Sequence, residues 1–287
     1  MKKALLTIVC AFSLFFCACN DNNDDFSSMS LMQLNTKYNE LSHEYDNLKS
    51  QYDVYYEFVE GKSKAQIIEL INELNTEVIK SNVMITNESK GYFSGTSVSS
   101  GSGTIIKEDS TKYYVLTNNH VIYTLNSNRT NYYVYDYMNN EYVANVEFYD
   151  PNYDMALLSF TKRSSNLRVA KLASEDLSVN GNLITIGQPM GQRNIITLGQ
   201  VIKYDYVNCD NCDVNESNIS YPCMYYDAIT TNGNSGGMII NYNYEIVGVV
   251  TFGFTTNGVY SYGAGSSVSK VREFFSNNAF EVGDLYV

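Results

Sequence analysis

The chain has 287 residues, 44% of them hydrophobic and 17% charged, with a formal net charge of −12. That length and hydrophobic fraction provide a sizeable core in one large domain or two small ones, and exclude a disordered chain. The acidic balance excludes a nucleic-acid partner, which needs a basic face.

At the N-terminus, Lys2 and Lys3 precede a short apolar run from Ala4 to Phe16, and small residues and cysteines then lead into a polar stretch from Asn20 to Asp25. The run is too short to span a bilayer comfortably, so residues 1–18 are expected to be a signal peptide. The junction Phe16-Cys17-Ala18-Cys19 resembles a bacterial lipoprotein processing site, with cleavage after Ala18 and lipid on Cys19. Phe16 stands where such sites usually carry Leu, although Leu14 is close by. The expectation is an exported, lipid-anchored protein on the outer side of a membrane, with residues 19–26 as spacer. Plain secretion is the alternative.

Residues 27–80 are expected to be helical. Leu31, Leu34, Tyr38, Leu41, Tyr45, Leu48, Tyr52, Tyr55 and Val59 follow at alternating steps of three and four, a heptad pattern that predicts a coiled-coil helix. This helix either joins copies into a homo-oligomer or folds back on its own chain. Beyond Gly61, the residues Ile67, Leu70, Ile71, Leu74 and Val78 predict a second helix, with Ser63 and Gln66 forming a capping box.

From about Ser81 the chain changes character. Short runs of β-branched and aromatic residues recur between Asn, Gly, Ser and Asp: 113–117, 131–137, 142–148, 155–160, 183–187, 200–206, 238–240 and 245–252. Many short strands with frequent turns predict a sandwich or barrel, closed by one helix at about Val268 to Asn277.

Three local motifs stand in this β region. They are Thr117-Asn118-Asn119-His120, Asp150-Pro151-Asn152-Tyr153-Asp154 and Gly233-Asn234-Ser235-Gly236-Gly237. Each alone reads as an ordinary turn or loop. Together they supply a nucleophile, a base and an orienting acid: Ser235, His120 and Asp154. The chain has two histidines, and His43 falls in the heptad stretch, so His120 is the one candidate base of the β region. Gly233 and Gly236 allow a sharp turn around Ser235, aiming the amides of Gly233 and Ser235 at a developing oxyanion.

These motifs, in the order His, Asp, Ser, resemble the HtrA/Deg-like serine proteases of the chymotrypsin superfamily. Gly101-Ser102-Gly103-Thr104-Ile105-Ile106, residues 183–191 and Asp227-Ala228-Ile229 extend the likeness over about residues 81–275. The resemblance implies a mainly β fold of two antiparallel six-stranded barrels over residues 81–287. Barrel 1 covers about 81–172 and barrel 2 about 173–280, with the site in the cleft between them. It implies an acyl-enzyme serine endopeptidase that needs no cofactor or metal and acts on proteins or peptides. Two departures stand out. About 50 residues follow Ser235, which leaves no room for the PDZ domain of many relatives, and Thr230-Thr231-Asn232 replaces the usual Asn-Pro-like sequence. In this fold the residue six before the nucleophile lies near the base of the primary pocket. Ile229 there, with Thr230, Thr251 and Phe252, predicts cleavage after small or medium apolar residues.

Cys209, Cys212 and Cys223 remain. With no fourth local ligand they make a poor zinc site, and in an exported protein one disulfide with a thiol left over is the expectation. Two other readings of the whole chain compete with a peptidase: a surface lipoprotein that only binds, and an esterase.

Overall fold

The computed structural model describes residues 62–91, 96–124, 127–163, 166–207, 215–256 and 259–282, together with residues 30, 32–39, 42 and 49. The leader, Cys19, the spacer, Leu31 and the heptad positions from Leu41 to Val59, and Cys209 and Cys212 lie outside the described residues. Residues 32–39, which carry Leu34 and Tyr38, are helical.

Helix α1, Lys64–Thr76, starts at the expected cap. The Ser63 hydroxyl accepts the Gln66 amide at 3.3 Å, and the Gln66 side-chain oxygen accepts the Ser63 amide at 2.8 Å. Leu70 and Leu74 are buried, as is Val78 in the short 3-10 turn Val78–Ser81, but Ile71 is exposed. The apolar set is therefore wider than the stripe that packs.

Six strands close the first barrel: β1 Asn82–Gly91, β2 Thr96–Glu108, β3 Lys112–Thr117, β4 Ser127–Tyr135, β5 Glu141–Asp150 and β6 Met155–Thr161, in the order β1-β2-β3-β6-β5-β4. Every pairing is antiparallel, and β1 against β4 closes the ring. Strand alternation fills the interior. Along β5, Tyr142 and Ala144 are buried while Glu141, Val143 and Asn145 face outward. Ile85, Ile105, Tyr113, Val115, Leu158 and Phe160 complete this core.

The linker adds a two-residue strand, β7 Lys171–Leu172, parallel to the later stretch Glu245–Ile246. The second barrel consists of β8 Asn182–Gly187, β9 Ile195–Asp205, β10 Cys223–Tyr226, β11 Met238–Ile240, β12 Glu245–Thr256 and β13 Val259–Ser267, in the order β11-β8-β9-β10-β13-β12, and the β11–β12 pairing closes it. Between the barrels lies a shared core. Leu116, Met155 and Leu157 from the first barrel meet Ile184, Ile186, Met238 and Ile246 from the second, with Leu70 and Leu74 of α1.

The last helix, Val268–Asn277, follows barrel 2 but reaches back to barrel 1. Its Phe274 lies 5.2 Å, centroid to centroid, from Phe148 of β5. Beyond it, Phe280 packs on Phe148 and Tyr114, and the Lys107 amine donates to the Glu281 carbonyl. Among the described residues no helix is long and apolar enough to cross a membrane.

Candidate active site

Strand β3 runs buried into a one-turn helix, α2, Asn119–Ile122, which sets His120 at the cleft. Asp154 ends the turn between β5 and β6 with φ +50°, a left-handed conformation that aspartate tolerates better than most residues. From there its fully buried carboxylate grips α2 at two points. One oxygen accepts the His120 backbone amide at 2.9 Å, and the other meets His120 Nδ1 at 2.7 Å. The Asn118 side-chain amide donates to the Asp154 carbonyl at 2.8 Å, tying both ends of the pair together.

A carboxylate at Nδ1 requires a proton there, which leaves Nε2 of the neutral ring as acceptor. Burial disfavours the charged imidazolium. The Asp154 carboxylate, through its charge and hydrogen bond, and Glu216 more weakly, outweigh that and hold the His120 pKa above its ordinary value.

The Ser235 loop is built differently. Gly233 and Gly236 have φ of +97° and +82°. A Cβ at Gly236 would collide with the Ser102 carbonyl and Thr117 Oγ1, and one at Gly233 would come within 2.6 Å of the Gln188 carbonyl. Ser102 of β2 ties the loop to barrel 1. Its amide donates to the Ser235 carbonyl at 2.7 Å and its hydroxyl to the Gly233 carbonyl at 2.7 Å, while it accepts the Gln188 amide at 2.8 Å. Gly101 is wedged between Val121, beside His120, and the Ser235 carbonyl. These contacts bring the Ser235 loop against the His120 helix.

Within the loop the amides of Asn234, Gly236 and Gly237 are bonded, to Thr231, Val250 and Asn234 carbonyls respectively. The amides of Gly233 and Ser235 have no hydrogen-bond partner among the described residues, and both residues are half-buried at the cleft. The Ser235 hydroxyl donates a long bond, 3.5 Å, to the Thr251 carbonyl. Among the described residues it is not hydrogen-bonded to His120. The structure thus joins His120 to Asp154 and docks Ser235 beside them without closing the last bond.

The other sequence-predicted residues lie behind this loop. Ile229 is half-buried, its carbonyl accepting the Thr197 hydroxyl at 3.1 Å. Thr230 is buried against Gly253 and Gly263, with its hydroxyl near Tyr226 Oη at 3.2 Å. Thr251 is buried, and Phe252 is half-buried with its ring 6.3 Å from Phe254. Cys223 is a free, buried thiol at the start of β10, its pKa pushed up to about 12 by burial and then by the Asp154 charge. A thiol so placed is a poor nucleophile.

Sequence reasoning missed Ser102, Asn118 and Asn119 as site residues. A serine flanked by glycines in a strand was the available signal for the first. Asn119 is buried and donates to the carbonyls of Asn215 and Glu216, at 2.9 and 2.8 Å.

A profile of the trypsin-like peptidase domain matches residues 101–249. Among curated proteins, the chain is 29% identical over 203 residues to the serine protease Do-like HtrA of Bacillus subtilis, covering 66% of this chain and 43% of that protein. It is 34% identical over 154 residues to the periplasmic serine endoprotease DegP of Salmonella typhimurium, covering 53% of this chain and 29% of that protein. The chain therefore spans less than half the length of these curated relatives. Among solved structures, the active form of the Rv3671c protease from M. tuberculosis superposes with a TM-score of 0.56 at 22% identity, over 74% of this chain and 86% of that one. That likeness supports the two-barrel fold.

Proposed function

The chain belongs to the trypsin-like peptidase domain family, and from that premise we propose that it is an HtrA-like serine endopeptidase in which Ser235, His120 and Asp154 form the catalytic triad. His120 Nε2 takes the Ser235 hydroxyl proton as Oγ attacks the scissile carbonyl, and Asp154 stabilises the resulting imidazolium. The amides of Gly233 and Ser235 receive the oxyanion, each such donor contributing about 3 kcal/mol in the transition state. Collapse of the adduct breaks the C–N bond, and His120 returns the proton to the leaving amine. Water, deprotonated by His120 in turn, hydrolyses the acyl-enzyme to the second product and frees Ser235.

The carrying observation is the two-point grip of Asp154 on His120, facing a glycine-framed serine whose flanking amides are unbonded. The Ser235 hydroxyl's bond to Thr251, in place of one to His120, fits a resting form.

Residues 1–18 are the signal peptide, Cys19 carries the lipid, 19–26 space the enzyme from the membrane, 27–80 are a helical segment whose heptad stretch joins copies, and 81–287 form the peptidase. The periplasmic relatives support action outside the cytoplasm. Ile229, Thr230, Thr251 and Phe252 line a neutral primary pocket that takes small or medium apolar side chains, and Cys209 pairs with Cys212 in a disulfide while Cys223 stays reduced.

The test is labelling of the purified chain by a fluorophosphonate probe, with Ser235→Ala and His120→Ala variants alongside. The proposal expects the parent alone to label and a peptide library to report cleavage after apolar residues. A folded parent that never labels, with and without residues 20–80, makes the chain a binding protein on a peptidase fold; ester turnover without peptide cleavage makes it an esterase.

A further inference from the structure

Both catalytic loops of barrel 1 are held from outside by one stretch of barrel 2. Residues 215–221, which lead into β10, cross the cleft wall and bond to barrel 1 at four places. The Asn119 side-chain amide donates to the Asn215 and Glu216 carbonyls, beside His120. The Asn218 amide donates to the Pro151 carbonyl at 2.7 Å, and the Asn218 side chain to Asn152 Oδ1 at 2.9 Å. Finally, the Tyr221 hydroxyl donates to the Tyr153 carbonyl at 3.0 Å.

That last bond falls on the peptide joining Tyr153 to Asp154, which enters the left-handed conformation of Asp154. A phenol has one proton. Since Tyr221 gives it to Tyr153, the Ser266 hydroxyl 2.7 Å away must donate to Tyr221 and fix its oxygen in place. The Tyr221 ring is set by Tyr153, 5.8 Å between centroids, and by the Lys270 amine 5.0 Å from its centre. Tyr153 is itself fastened to the C-terminal helix, donating to Glu273 at 2.7 Å and accepting from Asn277 at 2.9 Å.

We infer that residues 215–221 are an intramolecular brace, and that Tyr221 is a positioning residue that keeps Asp154 aimed at His120. The inference rests on the triad reading given above. It makes competence of the barrel 1 loops depend on a barrel 2 segment, so whatever displaces 215–221 lowers turnover without touching the substrate pocket. Among the described residues, the charged groups that act on the His120 ring are Asp154, from the braced turn, and Glu216, from the brace itself.

Tyr221→Phe removes only the hydroxyl and tests this in the full chain. Three quantities are read: kcat and KM on a peptide substrate, the His120 imidazole pKa by NMR titration, and the thermal midpoint. The chain has two histidines, and a His120→Ala sample assigns the signal. A brace gives a kcat lower by about fivefold with KM unchanged. It also gives a His120 pKa that falls toward the ordinary value because the carboxylate has drifted. Asn119→Ala, which frees the other end of the segment, shifts both readouts in the same direction. A lower thermal midpoint with kcat and the His120 pKa unchanged would overturn the inference, leaving Tyr221 a packing residue. If the parent itself neither labels nor turns over, the peptidase reading fails, while the NMR titration of parent and variants still decides whether the brace sets the His120–Asp154 pair.

Discussion

The two walls of the cleft are held by different physics. On the barrel 1 wall, His120 and Asp154 are fixed by side-chain hydrogen bonds: carboxylate to amide and ring, Asn118 to the Asp154 carbonyl, Asn119 and Tyr221 across the interface. On the barrel 2 wall, Ser235 is held almost wholly by backbone, through main-chain bonds and two glycines in conformations closed to other residues. The first wall should therefore keep its shape when a polar group is lost, yet fail chemically. The second should fail structurally when a single carbon is added.

Substitutions ranked by size sharpen that contrast. Ser235→Ala removes the proposed nucleophile, and peptide turnover should fall by roughly 10⁶-fold with the fold intact by circular dichroism. Asp154→Asn keeps the shape of the barrel 1 wall but favours the wrong histidine tautomer; kcat should drop about 10⁴-fold while the thermal midpoint moves little. Gly236→Ala is the opposite case. The added methyl meets the Ser102 carbonyl and Thr117 at a positive φ, so urea denaturation should show a loss of about 2 kcal/mol accompanying the loss of activity. Equal stability losses in the aspartate and glycine variants would break the comparison.

The smallest effect is in pH dependence. In the proposed mechanism His120 works as a base only when neutral, and its pKa is raised above the ordinary 6.5, so kcat/KM should fall with decreasing pH along a limb centred above that value. Glu216→Gln removes one of the charges that raise it and should move the limb to lower pH. The same shift carries a stability term of opposite use. It is fully present below the unfolded-state histidine pKa and is lost as pH rises through the folded one.

Much of this was legible in the sequence where side chains announce their role. Strands such as β3, β8 and β11 are dense in β-branched and aromatic residues, β6 is a mainly apolar run, and the capping box at Ser63 and the final helix fell where their signals stood. The strands β2 and β13 were hidden because Ser and Gly fill them: Thr-Ser-Val-Ser-Ser-Gly-Ser-Gly and Ser-Tyr-Gly-Ala-Gly-Ser-Ser look like loops. Those small residues are there for close approach, Gly101 and Ser102 to the nucleophile loop and Gly263 to Tyr226 and Thr230. Strand β10 is only four residues long, and Tyr221 before it gains its meaning from a partner 68 residues away. Local pattern cannot carry that kind of information.

The aromatic strap at the C-terminal end has a consequence for the order of assembly. Phe274 and Phe280 cover Phe148 and Tyr114, which lie more than a hundred positions earlier, so the first barrel to emerge is finished by some of the last residues to follow it. Contacts this distant in sequence form late and slowly. The outer face of the first barrel therefore waits for its cover until the rest of the described fold is in place.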